Sequence, residues 1–397
     1  MSLTSPTYQA TAPPPVAVAD GAAAATATVW STPARTESGL ARVREATPSE
    51  LGDWDDLIAR FWNHRVTHRR SWIESLADAG CGEPLYLVWE KSGEVVGCMP
   101  GLLARVGLWR GFGSPMPGWQ TVSLGPVWDR RRLSARELVG LLVPYLELVH
   151  RVSYLELMTP DLAPAVMRAL GFRGEPAPTF RAPLYPDDEK RTFRGLKDSA
   201  RRNVRRAERL GLVVRFEQDE SFVDEHYDQL REVYLRGGNA VPFSRRRVHQ
   251  CFRHMQQASL LIAVSVRMPD GTCIATGTFF IDHQELHLWM WAHRTRYRWY
   301  RPTELMTWTV MQRALRAGCV TFDLNGEGVF KEKFGAVPDV TKHRWVLGNP
   351  PWLTSLRFWA ERGYRVQQAI RGHLARLVGT ATHGLAERDS QDRHDDR

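Results

Sequence analysis

The sequence predicts a mixed α/β (α+β) protein built from two consecutive units, each a largely antiparallel sheet flanked by helices. One observation is that a single order of elements occurs twice: a strand, two helices, a group of hairpin strands, then a helix and a strand. Another is length, because 397 residues exceed the roughly 250–300 that one hydrophobic core usually serves. With 43% hydrophobic and 24% charged residues, the composition is that of an ordinary globular protein.

The net charge and the cysteines narrow the functional classes. A formal charge of +9 favours an anionic partner such as nucleic acid, a diphosphate or a CoA-like cofactor, although an arginine-rich composition alone would also produce it. The five cysteines are far apart and form no CxxC pair, which favours a reducing compartment without disulfides or a zinc site. No apolar run reaches the roughly 18 residues of a membrane span, and no basic segment precedes an apolar one near the start, so we expect neither a membrane span nor a secretory signal. We therefore expect a cytoplasmic protein that binds neither a metal nor a membrane.

The two ends of the chain lack any sustained periodicity. Residues 1–40 are rich in alanine, threonine and proline and are interpreted as a disordered leader. Residues 379–397 end in the charged run ERDSQDRHDDR and are interpreted as a disordered tail.

Residues 41–186 are predicted to form the first unit. Its helices have apolar periodicity, and its strands are bounded by turn residues such as Lys91-Ser92-Gly93-Glu94. The Gly/Pro-rich aromatic segment LWRGFGSPMPGW is predicted to be a loop within this unit. The predicted elements are, in order, strand 41–46, helices 49–62 and 70–79, strands 85–90 and 95–103, helix 134–149, strand 153–158, a helix ending at 170, and strand 178–184.

Residues 187–211 are predicted to form a basic linking helix. Its apolar residues recur every three or four positions and so share one face: Phe193, Leu196, Ala200, Val204 and Ala207. Its cations cover the other faces: Arg194, Lys197, Arg201, Arg202, Arg205, Arg206 and Arg209. With few carboxylates to neutralise them, these cations favour phosphate binding, whereas a solvated helix face is the alternative.

Residues 212–378 are predicted to form the second unit. Its elements are strand 212–217, helices 221–235 and 245–257, strands 260–268, 272–282 and 285–293, helix 302–317, strand 320–324, strand 342–347 and a mostly helical segment 352–378. The strand ending at His293 alternates strictly, so His287, Trp289, Trp291 and His293 are predicted to share one face. Trp291 and His293 are candidates for a substrate pocket beside the basic loop 294–301, whereas His287 is interpreted as a packed core residue.

The segment from Tyr297 to Gly335 is a loop-helix-strand unit with chemistry at both ends. Pro302 suits a first helical position, and Gly318 suits a helix end. The turn after the strand, DLNGEGVFKEKFG, offers acceptors and lysines at a strand end, where α/β sheets usually bind ligands. Acyl transfer needs a donor for the oxyanion and a group that holds the amine. We predict these catalytic candidates: Lys331, Lys333, Asp323 and Glu327, with Asn325 in the substrate pocket.

These patterns resemble a known family. The pieces LKDSARRNVRRAERLG, PTEL, AGCVTFDL and FKEKFG, in this order, are similar to the Fem-like branch of the GNAT acyltransferases. That branch includes FemAB-type aminoacyltransferases, which use aminoacyl-tRNA, and CelD/BcsL-type acetyltransferases. The resemblance implies tandem GNAT-like domains with a cleft between them, Lys331 near the reacting carbonyl, and the basic helix near a diphosphate or tRNA. No heptad stretch matches the coiled-coil arm of cell-wall Fem proteins, which argues against a peptidoglycan substrate.

The class of acyl donor is predicted from a glycine pair that this chain lacks. GNAT enzymes bind the CoA pyrophosphate on the backbone of a glycine-containing loop at a helix start, but here that loop reads RWYRPT, without the glycine pair and with a proline. We therefore expect side chains to hold the donor: Lys197, Arg201, Arg202, Arg205, Arg298 and Arg301. The leading hypothesis is transfer from aminoacyl-tRNA, without a cofactor, to an amine, hydroxylamine or hydroxyl of a small molecule, as in natural-product biosynthesis. Acyl-CoA-dependent N-acyl transfer and non-catalytic RNA binding are the alternatives, and a monomer would suffice.

Overall fold

Two separate β-sheets with helices packed against them form the protein. The computed structural model describes residues 40–355 and, beyond them, residues 357, 359, 363, 366, 367 and 370. The predicted leader and tail fall almost wholly outside these residues. The prediction of a mixed α/β protein with two largely antiparallel sheets is confirmed.

The first sheet has eight strands in the order β1-β2-β3-β4-β6-β15-β7, with β5 paired to β3. All of its neighbouring strands are antiparallel except β4 and β6, which are parallel. Its strands are β1 (Arg42–Glu45), β2 (Glu83–Lys91), β3 (Glu94–Val106), β4 (Trp109–Ser114), β5 (Val127–Trp128), β6 (Val152–Thr159), β7 (Arg173–Pro176) and β15 (His343–Gly348).

The second sheet has seven strands in the order β14-β8-β13-β12-β11-β10-β9. Only β12 and β13 are parallel to each other. Its strands are β8 (Thr179–Pro183), β9 (Val213–Glu217), β10 (Leu261–Arg267), β11 (Cys273–Asp282), β12 (Glu285–His293), β13 (Thr321–Asp323) and β14 (Val337–Asp339).

Ten α-helices and three 3-10 helices with defined bounds flank these sheets within the described residues. The 3-10 helices span Val66–His68, Thr295–Tyr300 and Val329–Phe334. The α-helices are α1 (Pro48–Gly52), α2 (Trp54–Ala59), α3 (Arg70–Asp78), α4 (Ala135–His150), α5 (Pro164–Ala169), α6 (Glu189–Gly195), α7 (Asp198–Arg209), α8 (Phe222–Arg236), α9 (Arg245–Gln257) and α10 (Pro302–Arg316). No helix of the described residues has both the length and the hydropathy needed to cross a membrane.

The two halves of the chain exchange strands. The sequence assigned β8 to the first unit, but β8 pairs with β13 and β14 in the second sheet. Conversely, β15 was assigned to the second unit and pairs with β6 and β7 in the first sheet. Local hydrophobic pattern identifies a strand, but it contains no information about which distant strand completes the hydrogen-bond ladder. Each sheet is therefore completed by a segment from the opposite side of the predicted boundary at 186.

Three apolar cores hold the elements together. One packs α4 on the first sheet, and a second packs α7 and α10 on one face of the second sheet. The third is shared between the halves, because Trp72 and Leu76 of α3 lie in one cluster with Phe252 and Met255 of α9. This shared core fixes the relative position of the two sheets.

Two predicted helices are interrupted. The predicted helix 49–62 is divided into α1 and α2 at Asp53, whose backbone leaves the helical region. The linking helix is divided into α6 and α7, because Leu196 and Lys197 both have extended backbone. The face predicted to be apolar is nevertheless the buried face of α7, where Ala200, Val204 and Ala207 are buried. The strand β4 lies within the segment LWRGFGSPMPGW, so the prediction of a loop is wrong for that part of the segment, and the strands β5, β7 and β14 were not predicted.

Candidate active site

A bulge in β12 changes which residues of this strand share a face. Thr278 of β11 pairs with Met290 and Phe279 pairs with Leu288, so Trp289 is an extra residue without a partner in this ladder. The extra residue reverses the alternation that follows it. Trp291 consequently packs against the same core as Leu288, whereas Trp289 joins the core shared between the halves. The prediction that His287, Trp289, Trp291 and His293 share one face is therefore wrong.

Asp323 is the last residue of β13, whereas the neighbouring strand β12 continues beyond it. Its buried carboxylate accepts hydrogen bonds from the Thr179 hydroxyl and, at 2.7 Å, from the backbone N–H of Asn325. Asn325 has a φ of 54°, in the left-handed region that asparagine tolerates. These contacts hold the turn that leads to Lys331, so Asp323 and Asn325 shape the turn as well as offering acceptors.

Lys331 is half-buried against that turn. Its ammonium group donates to the carbonyl oxygens of Asn325 and, at 3.0 Å, Gly326. Burial lowers the pKa of Lys331 to about 8, with Asp323 opposing and Lys342 reinforcing the shift. A lysine with this pKa is mostly protonated at neutral pH, where it donates hydrogen bonds, and it loses its proton at slightly higher pH.

Lys342 is a functional candidate that the sequence did not reveal. Its side chain is only 7% exposed, and its ammonium donates to the carbonyl of Val122, in the first half of the chain, at 2.6 Å. Burial lowers its pKa, and the Asp323 carboxylate opposes that shift. No local pattern marks Lys342, because only the docking of the two halves buries it. We name Asp323, His287, Lys331 and Lys342 the inner cluster.

His287 is buried, as interpreted from the sequence, and it lies beside a carboxylate. Burial opposes its protonation, but the Glu285 carboxylate, 3.1 Å away, raises the pKa of His287. Burial would likewise raise the pKa of Glu285, but His287 and Arg181 hold it well below its usual range. The ligand atoms of Glu285, His287 and Asp323 lie within 4.8 Å of one another, which is a spacing that a metal could use. Because Arg181 already pairs with Glu285 and Lys331 neighbours Asp323, cations of the chain itself compensate these carboxylates. The residues do not favour a metal.

The 3-10 helix Val329–Phe334 also borders, through Phe330, a pocket of about 270 Å³, which we name the outer pocket. Three predicted site residues, His293, Arg298 and Arg301, line this pocket together with Pro302 and Glu304 at the start of α10. Burial, followed by the charge of Arg236, lowers the pKa of His293. Arg236 also contacts the His293 ring at 3.4 Å. The outer pocket is therefore rich in cations.

The start of α10 in the outer pocket is built differently from a glycine-loop phosphate site. Arg301 has a φ of 60°, and the helix begins at Pro302, which has no N–H. Glu304 in the first turn is buried and accepts from Asn203 at 2.9 Å and from Lys333 at 3.2 Å. A carboxylate therefore already occupies the positive end of this helix, leaving the surrounding arginines to bind an anion.

The basic helix is connected to the outer pocket through Asn203. The cations of α7 are not equivalent, because Arg201 donates to the Arg194 and Leu196 carbonyls and pairs with Asp198. Lys197 pairs with Glu332 at 2.6 Å. Arg202 and Arg205 are exposed and have no ion pair among the described residues; Arg205 lies over the Phe193 ring. Two of the four predicted phosphate-binding residues of this helix are thus engaged within the protein.

The remaining predicted residues connect or flank the two sites. Trp291 packs against Phe330 and Phe334, which belong to the segment that carries both lysines. Lys333 turns away from Lys331, towards Glu304 and the Phe330 ring. Glu327 is exposed, with no hydrogen bond or ion pair to the rest of the described chain. The structure thus gathers Asp323, Asn325 and Lys331 at the inner cluster. It gathers Lys333, His293, Arg298 and Arg301 at the outer pocket.

Comparison with known proteins identifies the fold. Residues 194–333 match the family described as acetyltransferase (GNAT) domain. The structure resembles FemX, with a TM-score of 0.64 and 13% identity over 79% of this chain and 99% of FemX. It also resembles a conserved protein of unknown function from Bacteroides thetaiotaomicron, with a TM-score of 0.51 and 11% identity over 77% of this chain and 98% of that one.

The C-terminal domain of a putative lysylphosphatidylglycerol synthetase from Agrobacterium fabrum is a weaker match, with a TM-score of 0.48 and 14% identity over 78% of this chain and 95% of that one. No curated protein matches the chain significantly. The likeness to FemX shows a shared fold, and the domain match covers α7, the outer pocket and Lys331. Residues 194–333 are therefore similar to a GNAT acetyltransferase domain, and the fold of the described chain is similar to that of FemX.

Proposed function

We propose that the protein moves an aminoacyl group from aminoacyl-tRNA to an amine, hydroxylamine or hydroxyl of a small molecule, in the setting of natural-product biosynthesis. The observation that carries this proposal is the outer pocket, where Arg298 and Arg301 surround a helix start that Glu304 already occupies. Such a site binds an anionic donor through side chains rather than through backbone N–H groups. Exposed Arg202 and Arg205 extend the basic surface from this pocket along α7.

An exposed aromatic ring beside the outer pocket supports a nucleic-acid donor. The guanidinium groups of Arg298 and Arg301 lie 4.9 and 5.7 Å from the Trp299 ring, and Trp299 is 58% exposed. An exposed ring flanked by arginines suits the stacking of an unpaired base, as at the end of a tRNA. The structural likeness to FemX agrees with a Fem-like enzyme but does not specify this chain's donor.

In the proposed reaction the acceptor nitrogen attacks the ester carbonyl carbon of the aminoacyl-tRNA. A C–N bond forms and the C–O bond to the tRNA ribose breaks, while a proton leaves the amine and the ribose oxygen gains one. Lys331 would donate to the oxyanion that forms on the carbonyl, and Lys333 would neutralise negative charge nearer the donor. Asp323 or Glu327 would position the acceptor, of which Asp323 is the better placed because it lies next to Lys331.

An acyl-CoA donor is the second candidate, and the family match favours it, since that family is described as acetyltransferase. The decisive assay supplies labelled aminoacyl-tRNA or labelled acyl-CoA together with a pool of small amines, with and without ribonuclease. We expect product from aminoacyl-tRNA and its loss on ribonuclease treatment. Product that requires acyl-CoA and survives ribonuclease would overturn the proposal. RNA binding without any transfer would support the non-catalytic alternative.

A further inference from the structure

A large cavity lies between the two halves of the chain, lined by residues that the proposed transfer does not use. Its volume is about 760 Å³, within the roughly 300–1,000 Å³ range of small-molecule sites. The Gly/Pro-rich aromatic segment supplies much of its wall through Trp109, Met116 and Trp119, and Phe243 and Leu353 add further apolar surface. The cavity is therefore suited to a ligand with an apolar body.

One cation in the wall of this cavity lacks a counter-ion. Arg247 of α9 is only 5% exposed, and its Nη1 donates to the Gly118 carbonyl at 3.3 Å and contacts the Cys81 sulfur at 3.5 Å. Its Nε and Nη2 have no hydrogen-bond partner among the described residues, and it makes no ion pair there. Burial lowers the pKa of Arg247, yet a guanidinium remains protonated near neutral pH.

An uncompensated buried charge is costly, whereas an anion beside it would relieve that cost. The carboxylate in the cavity wall, Glu156, does not serve as the counter-ion of Arg247, because it is already paired with Arg344 and Arg357. Binding an anion against Arg247 would therefore complete the electrostatics of the cavity. A modest side-chain adjustment would be needed, because the two unpartnered nitrogens are covered in this structure.

The surface beside the cavity has the same amphipathic character. Leu108, at the tip of the β3–β4 hairpin, is 96% exposed, and its neighbour Trp109 packs edge-on against Trp352 at 5.1 Å. Trp352 is itself 51% exposed, and Arg105 and Arg110 flank the hairpin tip. Apolar groups bordered by arginines suit contact with amphiphilic molecules.

We propose that this cavity is a second ligand site, which takes an amphiphile consisting of an apolar body and one anionic group. The anionic group lies against Arg247, and the apolar body lies along Trp109, Met116 and Trp119. Two sources share this chemistry: a free carboxylic acid with a hydrocarbon chain, and an anionic membrane lipid. The site does not depend on the donor, so it stands or falls independently of the proposed aminoacyl transfer.

The test measures binding of decanoate and of decanol to the full chain by calorimetry near neutral pH. We expect decanoate to bind at least about tenfold more tightly than decanol, because a hydrogen bond to a charged group adds that much. Arg247→Met should bind the two equally, and Ala79→Trp, which fills the cavity wall, should weaken both. Arg246→Met, an exposed neighbour outside the cavity, is the matched control and should keep the preference for decanoate.

Co-sedimentation with vesicles distinguishes the sources. If the ligand is a membrane lipid, the protein should sediment with phosphatidylglycerol vesicles more than with phosphatidylcholine vesicles, and Leu108→Glu should reduce this. Decanoate binding without sedimentation would assign the free acid. A thermal unfolding midpoint of Arg247→Met equal to or above that of the native chain would confirm that the variant folds. Equal affinity of the native chain for decanoate and decanol, or an unchanged preference in Arg247→Met, would overturn the proposal.

Discussion

One short 3-10 helix contributes Lys331 to the inner cluster and Phe330 to the outer pocket, yet the two sites are built on different principles. In the inner cluster the ionisable groups are buried beside one another, because Glu285 raises the pKa of His287 and Asp323 opposes the lowering of the Lys331 pKa by burial. In the outer pocket the cations of Arg298 and Arg301 have no ion pair within the described chain, and Trp299 beside them is exposed. In the proposed reaction, the buried groups of the inner cluster serve bond making and the unpaired cations of the outer pocket bind the anionic donor.

The largest effect should come from Lys331→Met. If Lys331 donates to the oxyanion, kcat should fall about 10²–10³-fold, because one oxyanion donor is worth that much, while the Kd of the donor changes little. Lys333→Met is the matched control, since Lys333 faces the outer pocket and should affect donor binding more than kcat. Single-turnover kinetics and donor titration separate the two effects. Equal losses of kcat and donor affinity in Lys331→Met would show that it only binds.

The pH dependence of kcat should report the deprotonation of Lys331. The pKa of Lys331 is lowered to about 8, so its ammonium form, which donates to the oxyanion, is lost above that pH. We expect kcat to fall about tenfold per pH unit on the alkaline side. Lys331→Arg, which remains protonated, should move this limb to higher pH even if the rate is lower. An alkaline limb that is identical in both proteins would assign it to another group.

Removing Arg298 or Arg301 should weaken the binding of the donor without slowing the chemical step. Arg298→Ala and Arg301→Ala should each raise the KM of the donor about tenfold, the worth of one charge-assisted contact, with kcat nearly unchanged. Initial-rate measurements at saturating acceptor test this. A fall in kcat at saturating donor would instead place these arginines in the reacting centre and remove the distinction between the two sites.

The salt dependence of donor binding should separate the cations of α7. Arg202→Ala with Arg205→Ala should reduce the slope of log affinity against log salt concentration by about one to two, because each neutralises a phosphate. Arg201→Ala should change the slope less, since Arg201 is already bonded to Asp198 and two carbonyls. Filter binding over a range of salt concentrations measures both. No change in the double variant would mean that α7 is a solvated surface.

The smallest effect concerns stability. The folded-state pKa of Lys331 is about 8 and its ordinary value is 10.5, so the unfolded chain binds more protons between these limits. The free energy of unfolding of the native chain should therefore rise relative to that of Lys331→Met as the pH increases through this window. Urea unfolding near neutral pH and near the upper limit measures the difference. A native chain that loses stability relative to the variant would contradict the assigned shift.

The sequence predicted those parts of the site whose residues lie close together along the chain. Asp323, Asn325 and Lys331 follow one strand within nine residues, and a strand end with acceptors and lysines is a local pattern. The start of α10 was predicted for the same reason, because Pro302 and Glu304 are signals of a helix start. The apolar face of α7 was also predicted, because helical period alone places Ala200, Val204 and Ala207 together.

The parts that were missed depend on contacts between distant segments. The buried Lys342 donates to the carbonyl of Val122, which is 220 residues away along the chain. Arg247 of the second half donates to the carbonyl of Gly118 in the first half. The faces of β12 were assigned incorrectly, because the bulge at Trp289 is visible only in the pairing with β11. Similarly, Arg201 has the same side chain as Arg202, and only the fold of α6 against α7 supplies its carbonyl partners.

By itself the sequence determined the α/β class, the order of the elements and the acidic-to-basic turn after β13, because these follow from periodicity and from neighbouring residues. Only the tertiary structure decided that β8 and β15 cross between the sheets, that Lys331 and Lys333 face different sites, and that Arg247 lies in the wall of an apolar cavity. The physical reason is that strand pairing, desolvation and charge compensation depend on distance in space, which a one-dimensional pattern does not contain.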